Sequence, residues 1–472
     1  MSGSLPDTLL GMAAAIRERK VSSAELTQSA LGKAKAMQGE LNAFVALEEA
    51  TALAAARKAD ELTASGDATG PFHGVPLAHK DMYDRKGFVT GCASKIRADH
   101  VASETCTVLD RLQQAGTLQI GRLNMSEFAL GPTGHNAHHG RARNPIEPAR
   151  ITGGSSSGSG AAVGAGIVPA ALGSDTGGSI RLPAACCGVV GLKPTQGRVS
   201  RHGVMPLSFS QDCVGPLTRS VEDAYEMLRV IAGPDGKDMT CADAAPLGDL
   251  LSDLKPLKIG LPDGFFTADL DPQVAGALET SVSALQDLGM NPVAAPLPDL
   301  SAIADLANVV AMTEGGTFHF DWLRERPDDY GPQVRMRLSQ SLAVPGPIYL
   351  RAQQARGLML QETLARTFGQ ADVLIAPVMP FLPPLSDDVD VGDKPEMASV
   401  VASMAKFTRP WSFLGLPAIA LPAAKSAEGL PIAMQIIARP WREDLAASVA
   451  FHLERHLALG AFEPAGCFRS AA

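Results

Sequence analysis

The chain has 472 residues, a formal net charge of −9 and no basic block, which argues against nucleic acid as the main partner because phosphate binding needs clustered Lys and Arg. Apolar residues make up 46% and charged residues 19%, which is typical of globular proteins with a buried core. No stretch reaches the roughly 18 consecutive apolar residues of a membrane-spanning helix, so no contact with a membrane is expected.

The seven cysteines are scattered, and none forms a CxxC pair, so neither a zinc ribbon nor a thioredoxin-type site is indicated. The N-terminus lacks a basic start followed by a long apolar run. An odd number of cysteines in such a chain is typical of a reducing compartment, and we therefore expect a cytoplasmic protein.

The first 63 residues predict a helical region that packs on the core. Ser22 and Glu25 form a capping-box pattern at a helix start, and Glu48–Ser65 is an Ala-rich segment that favours an exposed helix. Between these helices, Leu41–Leu47 predicts a strand.

Further along the chain, strands alternate with helices, which predicts an α/β fold with a mixed or largely parallel sheet. The predicted strands are Leu118–Gly121, Cys186–Thr195, Leu257–Leu261, Ala371–Ala376, Ala418–Leu421 and Ile432–Ala438. The predicted helices are Cys106–Ala115, Asn124–Leu130, Ser220–Ile231, Pro272–Leu288, Leu300–Met312 and Arg442–Ala458. We expect residues 316–350 to be irregular, forming either a lid, a partner surface or part of the core.

Lys80 has an unusual place for a lysine, because Phe72–Met82 predicts a short buried strand that runs into a loop. Burial of the ammonium group would lower its pKa and allow it to act as a neutral base. The alternative is a surface lysine with a snorkelling side chain, and this residue taken alone favours that alternative.

The run Ile151–Arg181 contains two Gly/Ser/Thr clusters, Gly153–Gly160 and Gly173–Ser179. A flexible linker is also rich in Gly and Ser, but it rarely encloses an apolar run such as Ala161–Leu172. Two small-residue loops around a packed segment indicate two backbones brought close together at a ligand.

The first cluster contains a literal GxSxG motif that would make Ser156 a nucleophile at a strand-to-helix turn, but Asn144–Arg150 before it does not predict a strand. In the second cluster, the glycines before Ser179 allow consecutive backbone N–H groups to point at one spot, as an oxyanion hole requires. Since a serine hydroxyl needs a base to become a nucleophile, Lys80 is the plausible partner.

His135, His138 and His139 raise the possibility of a metal site. Their spacing lacks the i,i+4 register of a helical zinc pair, and no nearby cysteine completes a set of ligands. We expect loop histidines and no metal.

The segment around Lys80, the run GGSSSGSGAA at 153–162 and the run GSDTGGSIRLPAACCGVVGLKPT at 173–195 closely resemble the amidase signature family. The similarity extends over nearly the whole chain and includes NMSEF at 124–128 and GLPIAMQIIA at 429–438. The spacing also matches, because the two signature serines lie 24 residues apart.

The resemblance implies a large single-domain α/β fold with a central mixed β-sheet flanked by helices, in which residues 64–472 form the catalytic domain. It also implies a Ser–Ser–Lys triad, with Ser179 as the nucleophile, Ser155 as the bridging serine and Lys80 as the base. In the family, the peptide bond before the bridging serine is cis.

By the same resemblance, the oxyanion is held by the backbone N–H groups of Thr176, Gly177, Gly178 and Ser179. Asp175 and Arg181 are expected to brace this loop by hydrogen bonds. The substrate is expected to contact Ala129, Leu130 and Gly131. Members of the family with larger residues at position 129 have less room there, so the resemblance implies a wider pocket in this chain.

The resemblance implies a serine amidohydrolase that cleaves the C–N bond of a small amide or urea-type compound, without a cofactor, a nucleic acid or a membrane, and it leaves a homodimer open. The alternative is the glutaminase subunit of a tRNA-dependent amidotransferase, which acts with partner chains. Phe407–Leu421 looks more like the stand-alone amidases. A non-catalytic binding protein on the same fold is disfavoured by the complete set of Lys80, Ser155 and Ser179.

Overall fold

A single mixed sheet of eleven strands runs through the part of the chain that the computed structural model describes, residues 5–261, 264–390 and 398–469. The strands are β1 (Phe44–Leu47), β2 (Pro76–Lys80), β3 (Leu118–Leu123), β4 (Ala170–Asp175), β5 (Val190–Lys193), β6 (Cys213–Thr218), β7 (Lys258–Leu261), β8 (Asn291–Ala294), β9 (Val373–Pro377), β10 (Ala418–Lys425) and β11 (Pro431–Ala438). Their order across the sheet is β1-β3-β2-β4-β6-β5-β10-β11-β9-β7-β8.

The α-helices of the described residues surround this sheet. They are α1 (Leu9–Arg17), α2 (Ser23–Leu41), α3 (Glu49–Ser65), α4 (Thr107–Gln114), α5 (Ser157–Gly164), α6 (Arg181–Cys187), α7 (Val221–Ile231), α8 (Gly264–Thr267), α9 (Pro272–Asp287), α10 (Leu300–Phe318), α11 (Phe320–Glu325), α12 (Pro332–Ser341), α13 (Gly346–Glu362), α14 (Ala398–Met404), α15 (Arg409–Phe413), α16 (Glu443–Leu457) and α17 (Gly466–Arg469). Among the described residues, no helix combines the length and the apolar character needed to cross a bilayer.

The sheet is mixed, as the sequence predicts. Strand β2 is parallel to both of its neighbours, β3 and β4, and β7 is parallel to β8 and β9. The strands between these two groups pair in antiparallel fashion. The parallel pairing of β2 and β4 matters for function, because their carboxyl ends meet at one edge of the sheet.

Helices cover both faces of the sheet. Along β4, Leu172 packs into one apolar cluster together with residues of α7 and α16, whereas Ala171 packs into another with residues of α5 and α6. Successive side chains of a strand point to opposite faces, so the two clusters are the two layers between sheet and helices. The result is the expected α/β fold with a central mixed sheet flanked by helices.

The structure confirms two local predictions in the N-terminal region, a helix cap and a strand. The capping box is present, since the Glu25 N–H donates to the Ser22 hydroxyl and the Ser22 N–H donates to the Glu25 carboxylate. Strand β1 of this region pairs with β3 in the main sheet. The division of the chain at residue 63 stays a prediction.

The expectation of an irregular segment at 316–350 is wrong. The end of α10, then α11, α12 and the start of α13 make this region helical. Pro332 and Pro347 lie in the first turns of α12 and α13, where a proline costs no helical hydrogen bond. The prolines therefore start helices here.

Two further boundaries differ from the sequence prediction. Asn124–Leu130 forms only a short 3₁₀ turn, Glu127–Ala129, because Phe128 and Ala129 have positive φ angles of 48° and 62°. Cys186 and Cys187 belong to α6, and the strand predicted from Cys186 begins at Val190. Strands β4, β6 and β8 were not predicted.

Candidate active site

Lys80 is the last residue of β2 and is completely buried, so the alternative of a snorkelling surface lysine is wrong. Its Nζ lies 2.7 Å from the Oγ of Ser155 and 2.9 Å from the Oγ of Ser174. Ser174 is on β4, and the parallel pairing of β2 with β4 brings the two residues together. The lysine head group therefore has two hydroxyl groups as its neighbours.

Burial lowers the pKa of Lys80 to about 7, because the charged ammonium loses its hydration. The nearby carboxylates of Asp212 and Asp175 act in the opposite direction and favour the charged form. A lysine with this pKa is neutral in a large fraction of molecules near neutral pH, so its nitrogen can accept a proton.

Ser155 is also completely buried and lies just before α5. The peptide bond from Gly154 to Ser155 is cis, in agreement with the resemblance. The carbonyl of Ser155 accepts a hydrogen bond from the N–H of Ser126, and the N–H of Ser156 donates to the carbonyl of Ser179. The second of these bonds joins the two Gly/Ser loops, as the sequence predicts.

Ser179 lies at the wall of a cavity of about 70 Å³ and is only partly buried. Thr176 and Gly177 line the same cavity, as do Ala129, Leu130 and Gly131. The structure therefore brings the expected nucleophile, part of the expected oxyanion loop and the expected substrate-contact segment to one space.

The N–H of Gly178 donates to the Asp175 carboxylate at 2.7 Å, so this predicted oxyanion donor is engaged within the protein. Gly178 has a φ of 134°, and an added Cβ would lie 2.4 Å from the Oγ1 of Thr408. Glycine is required here by both conformation and space. The N–H groups of Thr176, Gly177 and Ser179 remain as candidate donors to an oxyanion.

Asp175 and Arg181 form a completely buried, bidentate ion pair in which both N···O distances are 3.0 Å. Burial alone would raise the pKa of Asp175, but the charge and hydrogen bonds of Arg181 hold it at about 2. Arg181 also donates to Gln435, to Ser412 and to the carbonyl of Thr408. The pair therefore fixes the loop that carries Ser179, as the resemblance implies.

Removal of one member of this ion pair is expected to destabilise the fold strongly. In Asp175→Asn the buried guanidinium of Arg181 loses its counter-charge, and we expect a loss of about 3–5 kcal/mol in the free energy of unfolding. Urea titration followed by circular dichroism measures this loss. The control is Glu362→Gln, which breaks an exposed pair with Arg366 and should cost less than about 0.5 kcal/mol. Equal effects in the two variants would contradict this role of Asp175.

The three histidines singled out in the sequence have protein partners. The ring nitrogens Nδ1 of His135 and Nε2 of His138 lie 2.8 and 2.9 Å from Thr133 Oγ1 and Glu127 Oε1. The backbone N–H of His139 donates to the Asn136 side chain. Within the described ranges, no group of three or more His, Cys, Asp or Glu side chains is arranged to hold a metal ion.

Several residues at the site were missed by the sequence analysis. Asp212 accepts a hydrogen bond from the Thr176 hydroxyl at 2.5 Å, and the Thr408 hydroxyl donates to the carbonyl of Gly177 at 2.6 Å. Gln435, which accepts from Arg181, was also missed. It is the one of these residues that the sequence could have revealed, because it is a lone polar residue in the apolar, buried strand β11.

A family model described as Amidase matches residues 25–446 of the chain. A curated relative from Methylococcus capsulatus, which is one of the subunits of a glutamyl-tRNA(Gln) amidotransferase, is 37% identical. The match covers 97% of this chain and 99% of the relative.

Solved structures give the same result. An inhibitor-bound structure of a vestigial protein complex, related to the origins of an s-triazine catabolic enzyme, contains a chain that is 35% identical to this one. Its TM-score is 0.88, with coverage of 97% of this chain and 100% of that chain. A crystal structure of an amidase is 33% identical, with a TM-score of 0.85 and coverage of 95% and 99%. By its family model, its relatives and its fold, the chain belongs to the amidase family of amidase signature enzymes.

Proposed function

We propose that the protein is a serine amidohydrolase that hydrolyses the C–N bond of a small amide or urea-type compound through an acyl-enzyme on Ser179. The observation that carries this proposal is the contact between Lys80 Nζ and Ser155 Oγ at 2.7 Å, with the lysine completely buried and its pKa lowered to about 7. A buried neutral lysine beside a serine is suited to proton transfer and offers little to fold stability.

In the proposed reaction, Lys80 takes the proton of Ser155, and Ser155 takes the proton of Ser179 as that oxygen attacks the carbonyl carbon. The N–H groups of Thr176, Gly177 and Ser179 stabilise the oxyanion. Ser155 then gives its proton to the leaving nitrogen and takes one back from the Lys80 ammonium, and the C–N bond breaks. Water attacks the acyl-enzyme by the same proton path and releases the acid.

The cavity beside Ser179 supports a small substrate, since its volume is only about 70 Å³. Ala129 in its wall carries a side chain of only one carbon, which leaves room beside the proposed nucleophile. We infer that the acyl group bound beside Ser179 is compact and that Ala129 affects the shape of the cavity that receives it.

The second candidate is the glutaminase subunit of a tRNA-dependent amidotransferase. The 37% identity to the Methylococcus capsulatus relative favours this candidate. The solved structure described as an amidase, at 33% identity, favours hydrolysis of a small amide, and the chain at 35% identity belongs to a complex related to the origins of an s-triazine catabolic enzyme.

Hydrolysis assays distinguish these candidates. The purified chain should release ammonia or amine from members of a panel of aliphatic amides, aromatic amides and urea-type compounds in the absence of other proteins. A strict requirement for glutamine, together with stable co-purification of other subunits, would instead support the amidotransferase candidate. No release from any of these compounds, glutamine included, would contradict the proposal.

The pH dependence of kcat/KM tests the assignment of the base. Since burial lowers the pKa of Lys80 to about 7, the neutral, proton-accepting form increases as the pH rises through 7. We expect kcat/KM to rise about tenfold per pH unit below pH 6 and to reach a plateau above about pH 8. A rate that falls over this range would show that the charged lysine is the active form.

A further inference from the structure

Two arginines line both the cavity beside Ser179 and a larger cavity that adjoins it. Arg337, from α12, and Arg409, the first residue of α15, line both the inner cavity of about 70 Å³ and the outer one of about 480 Å³. A substrate that extends from Ser179 into the outer cavity therefore lies beside both arginines.

Arg409 lies directly against the loop that precedes the expected nucleophile. A Cβ at Gly177 would lie 3.4 Å from the Cγ of Arg409, which places the arginine stem over this glycine. The neighbouring Thr408 hydroxyl donates to the Gly177 carbonyl at 2.6 Å and fixes the two segments together. The position of Arg409 relative to Ser179 is therefore set by the fold.

Both guanidinium groups make few contacts with the protein. Arg337 Nη2 lies 3.8 Å from the sulfur of Met312, and Arg409 Nη1 donates to the carbonyl of Ala402 at 3.3 Å. Among the residues that the structure describes, no carboxylate lies within 4.0 Å of either group. Because a guanidinium has five N–H donors, most of these donors remain available to a ligand.

The lack of a nearby carboxylate destabilises the charged form of these arginines. Burial, together with the charge of Arg409, lowers the pKa of Arg337 to about 10. Asp305, in the wall of the outer cavity, acts on Arg409 only from a distance. Elsewhere in the chain a buried arginine such as Arg198 has a carboxylate partner at 3.0 Å, Glu443. Two neighbouring, partly buried cations therefore favour an anion between them.

We propose that Arg337 and Arg409 bind a carboxylate group of the substrate, so that the substrate is an amide or ureido compound that also carries an acid group. This inference rests on the proposed hydrolysis at Ser179 and names its substrate class. The planar fork of a guanidinium matches the two oxygens of a carboxylate, and the amide end of the same molecule extends into the inner cavity. The small inner volume favours a short chain between the two ends.

Matched pairs of substrates test the proposal. Succinamate and glutaramate carry the carboxylate, and butyramide and pentanamide are neutral compounds of the same chain length. The wild-type protein should hydrolyse the anionic compounds with the higher kcat/KM. Arg337→Met and Arg409→Met should lower kcat/KM for the anionic compounds about 10- to 100-fold and leave the values for the neutral compounds within about threefold.

The matched control is Arg335→Met, on the same helix, where the side chain is exposed and pairs with Asp328 at 2.5 Å. This variant should leave all four values unchanged. Equal losses on anionic and neutral compounds in the Arg337 and Arg409 variants, with Arg335→Met unaffected, would overturn the proposal and assign the two arginines a structural role. A wild-type preference for the neutral compounds would also overturn it.

A binding measurement separates failure of this inference from failure of the proposed function. In Ser179→Ala, calorimetric titration with succinamate and glutaramate should show binding, and the additional change Arg409→Met should remove it. No binding of either compound would overturn the carboxylate site. Undiminished hydrolysis by Ser179→Ala would contradict the proposed function and leave the binding result as a separate finding.

Discussion

Ser179→Ala is expected to abolish turnover, with a loss in kcat/KM of about 10⁴-fold or more and an unchanged fold. The hydroxyl of Ser179 is the proposed nucleophile at the wall of the inner cavity, and an alanine cannot form the acyl-enzyme. The backbone carbonyl that accepts from the Ser156 N–H is retained, so the two loops stay joined. Steady-state assays on the best amide of the panel measure the loss in kcat/KM, and a thermal melting curve tests whether the fold is unchanged.

Ser156→Ala provides the control, because Ser156 is the central serine of the literal GxSxG motif and a neighbour of the bridging serine. Its hydroxyl is buried and lies 3.4 Å from the Ser174 carbonyl, which leaves it no path to a substrate. We expect this variant to keep kcat/KM within about tenfold of the wild type. Loss of turnover in Ser156→Ala together with activity in Ser179→Ala would make Ser156 the nucleophile.

Lys80→Met is expected to lower kcat by several orders of magnitude. Methionine fills most of the buried space but has no group that can take a proton from Ser155, so the serine relay loses its base. The rise of kcat/KM near pH 7 should disappear in the residual activity, because the group responsible for it is absent. Rate measurements over pH 5–9 on wild type and variant test both effects.

Lys193→Met is the matched control for this variant. Lys193 is also a completely buried lysine, and burial also lowers its pKa, but its Nζ donates to the Pro194 carbonyl at 2.8 Å. Its replacement should reduce stability and leave the rise near pH 7 in place. Disappearance of this rise in Lys193→Met, with its retention in Lys80→Met, would move the role of base to Lys193.

The sequence predicted the main groups of the candidate site because they lie in short motifs. Lys80, Ser155 and Ser179 stand in three local patterns, and parallel strands and backbone bonds between loops bring them together. The mixed sheet was predicted for a similar reason, since apolar runs such as those of β9 and β11 are visible in the sequence.

The remaining parts of the site depend on contacts between distant segments. Thr408 lies 231 residues from Gly177 in the chain, and Asp212 lies 36 residues from Thr176, so no local pattern connects them. The engagement of the Gly178 N–H by Asp175 also depends on the folded loop. The helices at 316–350 were missed because a proline inside a polar segment predicts a break, whereas the prolines here lie at helix starts.

The central claim is that an acyl group is transferred to the hydroxyl of Ser179. The most direct test is to quench the protein in acid during steady-state turnover of an amide, digest it and measure the masses of the peptides. The account predicts that the peptide containing Ser179 gains the mass of the acyl group, that the added mass lies on residue 179, and that Ser179→Ala shows no such gain. An acyl group on Ser155 or Ser156 would contradict the account. Sustained turnover without added mass on any peptide in rapid-quench samples would also contradict it.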